Sequence, residues 1–309
     1  MYSLHSRAAR PITIAVPIIA HCTMTKPAET TPTAVPSLAE LRVEIDSIDA
    51  AMHELLMKRS EIIGRLIKVK KTADSGSAFR PAREADMMRR LVERHRGILP
   101  LDTVESIWRV IIATFTYVQA PFKVHADISA GESAMRDSER FHFGFTVPFV
   151  PHMGAAAVVA AVSASKGDLG LVPAFDIASA GAWWSALEFD AAPKIIARLP
   201  FVERSDHPAA LPVFVISRVA ADAMATEAPV WSVRVSGWGA GPAKALSMLT
   251  DFIAVPDQAF DGAALLVTLS KEMSLESVSA ALVKAGATVR SAALVGSHAT
   301  RYTVAADKA

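Results

Sequence analysis

An apolar stripe through residues 37–71 is the feature of this sequence that most constrains its fold. Its positions follow one another at mostly three- and four-residue steps: Leu38, Leu41, Ile45, Ile48, Met52, Leu55, Ile62, Leu66 and Val69. This spacing predicts an amphipathic helix, and Ser37 with Glu40 forms a capping box that predicts its start. A helix that continues to about Lys71 is long for a globular protein. It therefore predicts an extended helical hairpin or a dimer of paired helices.

Arg59 interrupts this stripe, because it occupies the position between Leu55 and Ile62 where a hydrophobic residue is expected. A buried cation without a partner is energetically costly. The surroundings of the apolar stripe must therefore supply a carboxylate partner or bind an anion. When Arg59 is considered alone, an ordinary explanation is equally good: the side chain reaches solvent, or pairs with Glu61 or Asp49.

Two further cations of the predicted helix, Lys70 and Arg42, are spaced at helical periods. Arg59 and Lys70 are eleven positions apart, which is close to three helical turns, so they lie on one face. Arg42 and Lys70 are four heptads apart and about 42 Å distant along a helix. A small anion cannot bridge that distance. If both bind the same ligand, Arg42 must come from the partner chain of an antiparallel dimer.

Two shorter helices are predicted to complete a three-helix unit over residues 37–121. The second covers about 82–96, and the third begins at Asp102, which we predict to be its cap with Glu105 as the box partner, and stops at Pro121. The apolar stripe of the first helix is too long to be covered by the two shorter helices of the same chain. We therefore expect a homodimer.

Composition narrows the function classes. The chain has 309 residues, of which 51% are hydrophobic, enough for the cores of two or three domains. A net charge of +1 does not favour nucleic acid as a partner. The single cysteine excludes an internal disulfide and is typical of a cytoplasmic protein, and the histidines lack metal-site spacing.

Residues 1–36 are interpreted as a disordered leader or an over-extended N-terminus, with Met24 as the working start. A poor export signal is the alternative, because an apolar run follows basic residues. That run is too short to span a bilayer, so no membrane partner is expected.

The remainder of the chain changes to short β-like runs with frequent glycine and proline. Residues 122–140 are predicted to be a linker, and residues 141–222 an α/β lobe that begins with the strand "FHFGFTV". Residues 228–306 follow the order βαββαβ, which predicts a ferredoxin-like domain. The expected fold class is thus multidomain, with an all-α unit followed by an α/β lobe and a ferredoxin-like domain.

Several motifs of the helical region occur together: the "LR…ID" opening, the spacing of Arg59 and Lys70, the "RE" pair at residues 83–84 after a proline, and the final Gln119. Jointly they resemble the all-helical chorismate mutases over about residues 37–121. The resemblance implies an isomerase that converts chorismate to prephenate in aromatic amino-acid biosynthesis, by preorganisation and electrostatic stabilisation, with no cofactor and no metal.

The resemblance also implies roles for individual residues. Arg42 from the partner chain and Arg59 would bind the two substrate carboxylates. Lys70 and Gln119 would donate hydrogen bonds to the ether oxygen, which gains negative charge as the C–O bond breaks. In the second helix, Glu84 would bind the substrate hydroxyl.

Arg83 would support the carboxylate end of the substrate. Two positions depart from the family pattern. Arg80 stands where an acidic residue is common, which removes one possible hydroxyl ligand, and Phe115 stands where a small hydroxyl residue is common. We expect an active enzyme; the alternative is a catalytically impaired protein that senses an aromatic metabolite.

The C-terminal half resembles a degenerate prephenate dehydratase followed by an ACT-like regulatory domain. "GDLGLVPAFDIASAG" is similar to the substrate-binding turn of the dehydratases, but Phe175, Asp176 and Ile177 replace its Glu-Asn-Ser run. Residues 211–214 replace the catalytic Thr-Arg-Phe strand. We expect no dehydratase activity and consider an aromatic amino acid as an effector. Nucleic-acid binding through the arginines of residues 89–96 is disfavoured, because acidic residues are interleaved with them.

Overall fold

The computed structural model describes residues 36–70, 78–175, 180–209, 211–218, 227–257 and 261–304, without the side chain of Lys70. The chain divides into two compact units, Met1–Glu54 and Leu55–Ala309. Among the described residues, the first unit contributes the start of helix α1. The second contains the remaining elements.

Helix α1 spans Leu38–Lys70, close to its predicted bounds. The capping box is present: the Ser37 amide donates to Glu40 Oε2 at 2.7 Å, and the Glu40 amide donates to Ser37 Oγ at 3.3 Å. Most of the predicted apolar stripe is exposed, namely Leu38, Leu41, Ile45, Ile48, Met52, Leu55, Ile62 and Val69. In the part of the chain that the structure describes, these apolar side chains of α1 are therefore accessible to solvent.

Helices α2 (Pro81–Arg94) and α3 (Leu101–Gln119) follow. The predicted cap of α3 is wrong, because Pro100 occupies the N-cap and Asp102 lies within the helix. The Asp102 carboxylate accepts from the neighbouring Thr103 amide, at 2.8 Å. Glu105 is fully buried and binds Arg204 instead. With Pro100 at the N-cap, the helix begins two residues earlier than it would with Asp102 as its cap.

A nine-stranded sheet forms most of the second unit, in the order β2-β1-β3-β6-β4-β10-β7-β9-β8. Pairs β1–β2, β1–β3 and β4–β10 are parallel, and the other neighbours are antiparallel. A separate pair joins β5 and β11. The strands are β1 (Val124–Asp127), β2 (Phe149–His152), β3 (Leu169–Pro173), β4 (Lys194–Leu199), β5 (Val202–Glu203), β6 (Val213–Ser217), β7 (Ala228–Ser236), β8 (Phe252–Asp257), β9 (Gly262–Thr268), β10 (Thr288–His298) and β11 (Tyr302–Thr303).

Four helices accompany the sheet: α4 (Glu132–Phe143), α5 (Ala155–Ala164), α6 (Ala240–Ser247) and α7 (Leu275–Lys284). A short 3₁₀ turn spans Trp183–Leu187. The segment predicted as a linker, 122–140, contains β1 and most of α4. The strand predicted at "FHFGFTV" is instead the end of α4 and a turn.

Local sequence explains both errors. Strand β1 is only four residues long and buried throughout, so it has no alternation of polar and apolar residues to detect. The buried face of α4 includes Ser138, Glu139 and His142, so polar residues conceal its amphipathic period.

The six elements from β7 to β10 follow the expected order β7-α6-β8-β9-α7-β10, with β10, β7, β9 and β8 adjacent and antiparallel. Strand β10 also pairs with β4 at Gly296 and Ile195, which joins the two predicted C-terminal regions in one sheet. Gly296 has φ +156°, and a Cβ there would lie 2.1 Å from the Ile195 carbonyl oxygen. Only glycine allows the two strands to approach in this way.

One hydrophobic core includes residues of α2, α3 and the sheet. Met88 and Leu91 of α2 and Ile112 of α3 are buried together with Val124 and Leu169 of the sheet. In the second unit, α2 and α3 thus share a core with the strands, which differs from the separate helical unit predicted from sequence.

Candidate active site

Arg59 is partly buried, and its guanidinium carbon lies 5.2 Å from the centre of the Phe115 ring on α3. Burial lowers the pKa of Arg59, and the nearby positive charge of Arg83 lowers it further. The guanidinium remains charged at neutral pH. A cation over an aromatic face, close to a second cation, is an arrangement that can receive an anion.

Gln119 is on the same helix as Phe115, and its amide Nε2 donates to the Phe115 carbonyl oxygen at 2.9 Å. The structure therefore brings together Arg59, Arg83 and Phe115, which lie on three helices, and Gln119 lies one helical turn beyond Phe115. Phe115 fills the space above the Arg59 guanidinium. A hydroxyl residue, as the resemblance would have at this position, would instead supply a hydrogen bond.

Glu84 lies against Arg109, with Arg109 Nη1 at 2.7 Å from Glu84 Oε2, and both side chains are buried. Burial raises the pKa of Glu84, and the positive charge of Arg109 opposes that shift. Arg109 Nη2 also donates to the His142 carbonyl oxygen of α4 at 3.1 Å. The carboxylate that the resemblance implies as a hydroxyl ligand is thus engaged in an ion pair that joins α2, α3 and α4.

The remaining predicted residues lie on α1. Arg42 is exposed and belongs to the first compact unit. Lys70 is the last residue of the helix, and its side chain lies outside the described residues. Arg80, one of the departures from the family pattern, donates to the Phe79 carbonyl oxygen at 3.0 Å.

Sequence reasoning missed Arg109. The sequence contained a signal, because four residues recur at the three- and four-residue steps of one helix face: Glu105, Arg109, Ile112 and Thr116. All four are buried in the structure. A charged residue on the buried face of a helix needs a partner of opposite charge. For Arg109 that partner is Glu84, which the resemblance had assigned to the substrate.

The C-terminal residues singled out from sequence are mostly buried. Trp183 and Trp184 pack edge to face at 6.0 Å, and both are buried. Phe214, in the segment that replaces the dehydratase catalytic strand, is also buried. Asp176 and Ile177 lie outside the described residues. The part of the chain that the structure describes contains no cluster of metal-ligating side chains and no helix long and apolar enough to cross a membrane.

Known proteins are similar to this chain mainly in its helical region. The model of the family "Chorismate mutase type II" matches residues 41–120. The bifunctional chorismate mutase/prephenate dehydratases of Pseudomonas aeruginosa and Aquifex aeolicus are 29% and 27% identical to this chain over 140 residues. Each match covers 44% of this chain and 38% of the relative, so the chain spans less than half the length of these relatives.

Similarity to solved structures is weaker. A prephenate dehydratase from Streptococcus mutans aligns with a TM-score of 0.37 and 13% identity, covering 59% of this chain and all of that chain. That score does not establish a shared fold. The similarity therefore concerns the helical segment, where the chorismate mutase type II model matches residues 41–120.

Proposed function

We propose that this protein is a chorismate mutase, which rearranges chorismate to prephenate. The observation that carries the proposal is the partly buried Arg59, beside Arg83, within a segment that matches the chorismate mutase family model. The relatives that match over this segment are named for the same activity. The single cysteine supports the expected cytoplasmic setting.

The site binds a compact dianion through guanidinium groups. Arg59 holds one carboxylate, and Arg42 of a partner chain holds the other. Lys70 and Gln119 donate hydrogen bonds to the ether oxygen, on which negative charge develops in the transition state. The reaction is an internal rearrangement, so the protein's contribution is to hold the reactive conformer and stabilise the developing charge.

The second helix supplies the remaining contacts. Arg83 supports the carboxylate end of the substrate, because its positive charge is close enough to Arg59 to lower the pKa of Arg59. Glu84 binds the substrate hydroxyl in this proposal. Its contact with Arg109 would then hold the side chain in place.

A homodimer completes the site. The exposed apolar stripe of α1 supports this, since a second copy of the helix would cover it and bring Arg42 to the far end of its partner. The ferredoxin-like order of the six elements from β7 to β10 supports a regulatory role for the C-terminal region, with an aromatic amino acid as the effector.

Turnover measured with purified full-length protein tests the proposal. Chorismate should disappear faster than without enzyme, and Arg59→Ala or Lys70→Ala should lower kcat/KM about a hundredfold or more. Lys68→Ala changes an exposed lysine of the same helix and should leave turnover unchanged. Full activity in both Arg59→Ala and Lys70→Ala would place the site elsewhere.

A product assay on the same preparation tests the C-terminal half. Prephenate should accumulate without conversion to phenylpyruvate, because Leu211–Phe214 lacks the threonine and arginine of the dehydratase strand. Formation of phenylpyruvate would show that this half retains dehydratase chemistry.

A further inference from the structure

Arg59 keeps a partly buried position without the help of a carboxylate. It differs in this from the other charged residues of α1 whose side chains the structure describes, because those are exposed. The charge close enough to affect the pKa of Arg59 is that of another cation, Arg83, and no carboxylate of the described residues contributes. Repulsion between two cations would favour an extended, fully solvated Arg59 side chain. Another contact must therefore hold the guanidinium where it lies.

The contact that opposes this repulsion is made by the ring of Phe115 on α3. The Arg59 guanidinium carbon lies over that ring, 5.2 Å from its centre, which is within the range of about 6 Å for attraction between a cation and an aromatic face. Both side chains are partly buried, and the attraction is stronger there than between fully exposed groups. A guanidinium is weakly hydrated and stacks well on rings. Phe115 therefore holds Arg59 without supplying a negative charge.

An aromatic partner and a carboxylate partner leave different things for a ligand. A carboxylate would accept hydrogen bonds from the N–H groups of Arg59 and neutralise its charge, so a substrate would have to displace it. A ring contacts the face of the guanidinium, and the N–H donors point outward in the guanidinium plane. An arginine that is already oriented also loses less side-chain freedom when a ligand binds. The stacked Arg59 is thus a charged and preorganised receptor for a carboxylate.

The main chain of Phe115 also contacts a second residue of the proposed site. Its carbonyl oxygen accepts a hydrogen bond from Gln119 Nε2 at 2.9 Å. This contact belongs to the backbone of α3, so it does not depend on which side chain stands at residue 115. Replacing the ring should therefore affect Arg59 and leave the Gln119 contact in place.

We propose that Phe115 is a positioning residue for substrate binding, whose ring fixes the Arg59 guanidinium and leaves the N–H donors of Arg59 to a substrate carboxylate. This role rests on the proposed function, in which Arg59 binds a carboxylate. It also accounts for the departure from the family pattern at residue 115. The phenylalanine replaces a direct hydrogen bond to the substrate with a contact that orients the arginine.

Steady-state kinetics on the full-length protein separate this role from a packing role. Phe115→Leu keeps an apolar side chain but removes the ring face, and should raise KM for chorismate about three- to tenfold. The value of kcat should change less than about twofold, because the Gln119 contact is retained and the lost interaction serves binding. Phe115→Tyr keeps the ring face and should restore KM to within about twofold of wild type. A KM that is unchanged in Phe115→Leu would overturn the proposal.

Phe149→Leu is the matched control. Arg136 lies over the Phe149 ring at the same distance, 5.2 Å, and Phe149 is a partly buried residue of β2. The substitution removes an equivalent contact outside the three helices of the proposed site, so KM should stay at the wild-type value. An equal rise of KM in Phe149→Leu and Phe115→Leu would show that the effect is not specific to Arg59.

Nuclear magnetic resonance of the arginine side chains tests the stacking without turnover. The Nε–Hε signal of Arg59 is identified as the one missing in Arg59→Lys. Phe115→Leu should move this signal, because the ring no longer shields it, whereas Phe149→Leu should not. Chorismate should shift the signal of wild type at lower concentrations than that of Phe115→Leu.

The two measurements also separate this proposal from the proposed function. A wild-type protein without chorismate turnover would refute the mutase activity, while the Arg59 signal would still report whether Phe115 holds the guanidinium. An Arg59 signal that is identical in wild type and Phe115→Leu would refute the positioning role, whatever the turnover.

Discussion

Glu139 of α4 is a buried carboxyl whose pairing is poor. Its side chain is fully buried, its oxygens have no hydrogen-bond donor among the described residues, and Arg140 Nε lies 3.4 Å away. Burial raises the pKa of Glu139 to about 7, while Arg140 and Arg136 oppose the shift. The folded state therefore favours the protonated carboxyl.

The pH dependence follows from the sign of this shift. The unfolded chain ionises near the ordinary value of 4.5, so the contribution of Glu139 to stability is complete below that pH and is lost as pH rises through about 7. Glu139→Gln should therefore raise the free energy of unfolding by roughly 3 kcal/mol at pH 8 and by little at pH 5. Urea denaturation at both pH values measures this.

Glu132→Gln is the matched control, because Glu132 is an exposed carboxyl of the same helix. This substitution should change the free energy of unfolding by no more than about 0.5 kcal/mol at either pH. A Glu139→Gln difference that is the same at pH 5 and pH 8 would contradict the assigned ionisation.

The Glu84–Arg109 pair permits a second prediction at the residue scale. Arg109→Met should destabilise the protein by about 3 kcal/mol, because it leaves the Glu84 carboxylate buried without a cation. Adding Glu84→Gln to this variant should restore part of the lost stability, since the buried carboxylate is then replaced by a neutral amide. Denaturation of the two variants tests this, and additive losses in the double variant would show that the residues do not act as a pair.

At the scale of elements, the prediction of helix α1 from sequence was accurate, because its start and its apolar period depend on interactions between neighbouring residues. The capping box and the three- and four-residue spacing are properties of neighbouring residues, and both were confirmed. The cap of α3 was predicted wrongly, because Glu105 finds its partners Arg204 and His207 almost a hundred positions away. Local rules cannot anticipate such a partner.

The exposed stripe of α1 leads to a prediction about assembly. Ile48→Asp introduces a charge in the stripe, so a dimer that buries this face should dissociate, and wild type and variant should differ in sedimentation-equilibrium mass. Glu44→Gln, an exposed polar position of the same helix, should leave the mass unchanged. A dimer that persists in Ile48→Asp at wild-type strength would show that another surface mediates assembly.

At the scale of the whole molecule, the core shared by α2, α3 and the sheet determines what can be separated. A fragment that ends near Asp127 would expose Met88, Leu91 and Ile112, which the strands cover in the complete chain. We expect this fragment to melt at a lower temperature than the full-length protein, or to aggregate, as measured by circular dichroism. A fragment with cooperative unfolding and full mutase activity would show that the helical segment folds independently.

The sequence by itself determined the long helix, its cap, the order of the elements from β7 to β10 and the similarity of residues 41–120 to a known family, because these depend on short-range periodicity or on motifs along one segment. Only the tertiary structure decided that Glu84 faces Arg109, that Arg59 lies over Phe115 and that β4 joins β10 in one sheet. Each of these is a contact between distant positions. Such contacts are selected by burial, which pairs charges and closes a common core, and the spacing of residues along the chain does not record them.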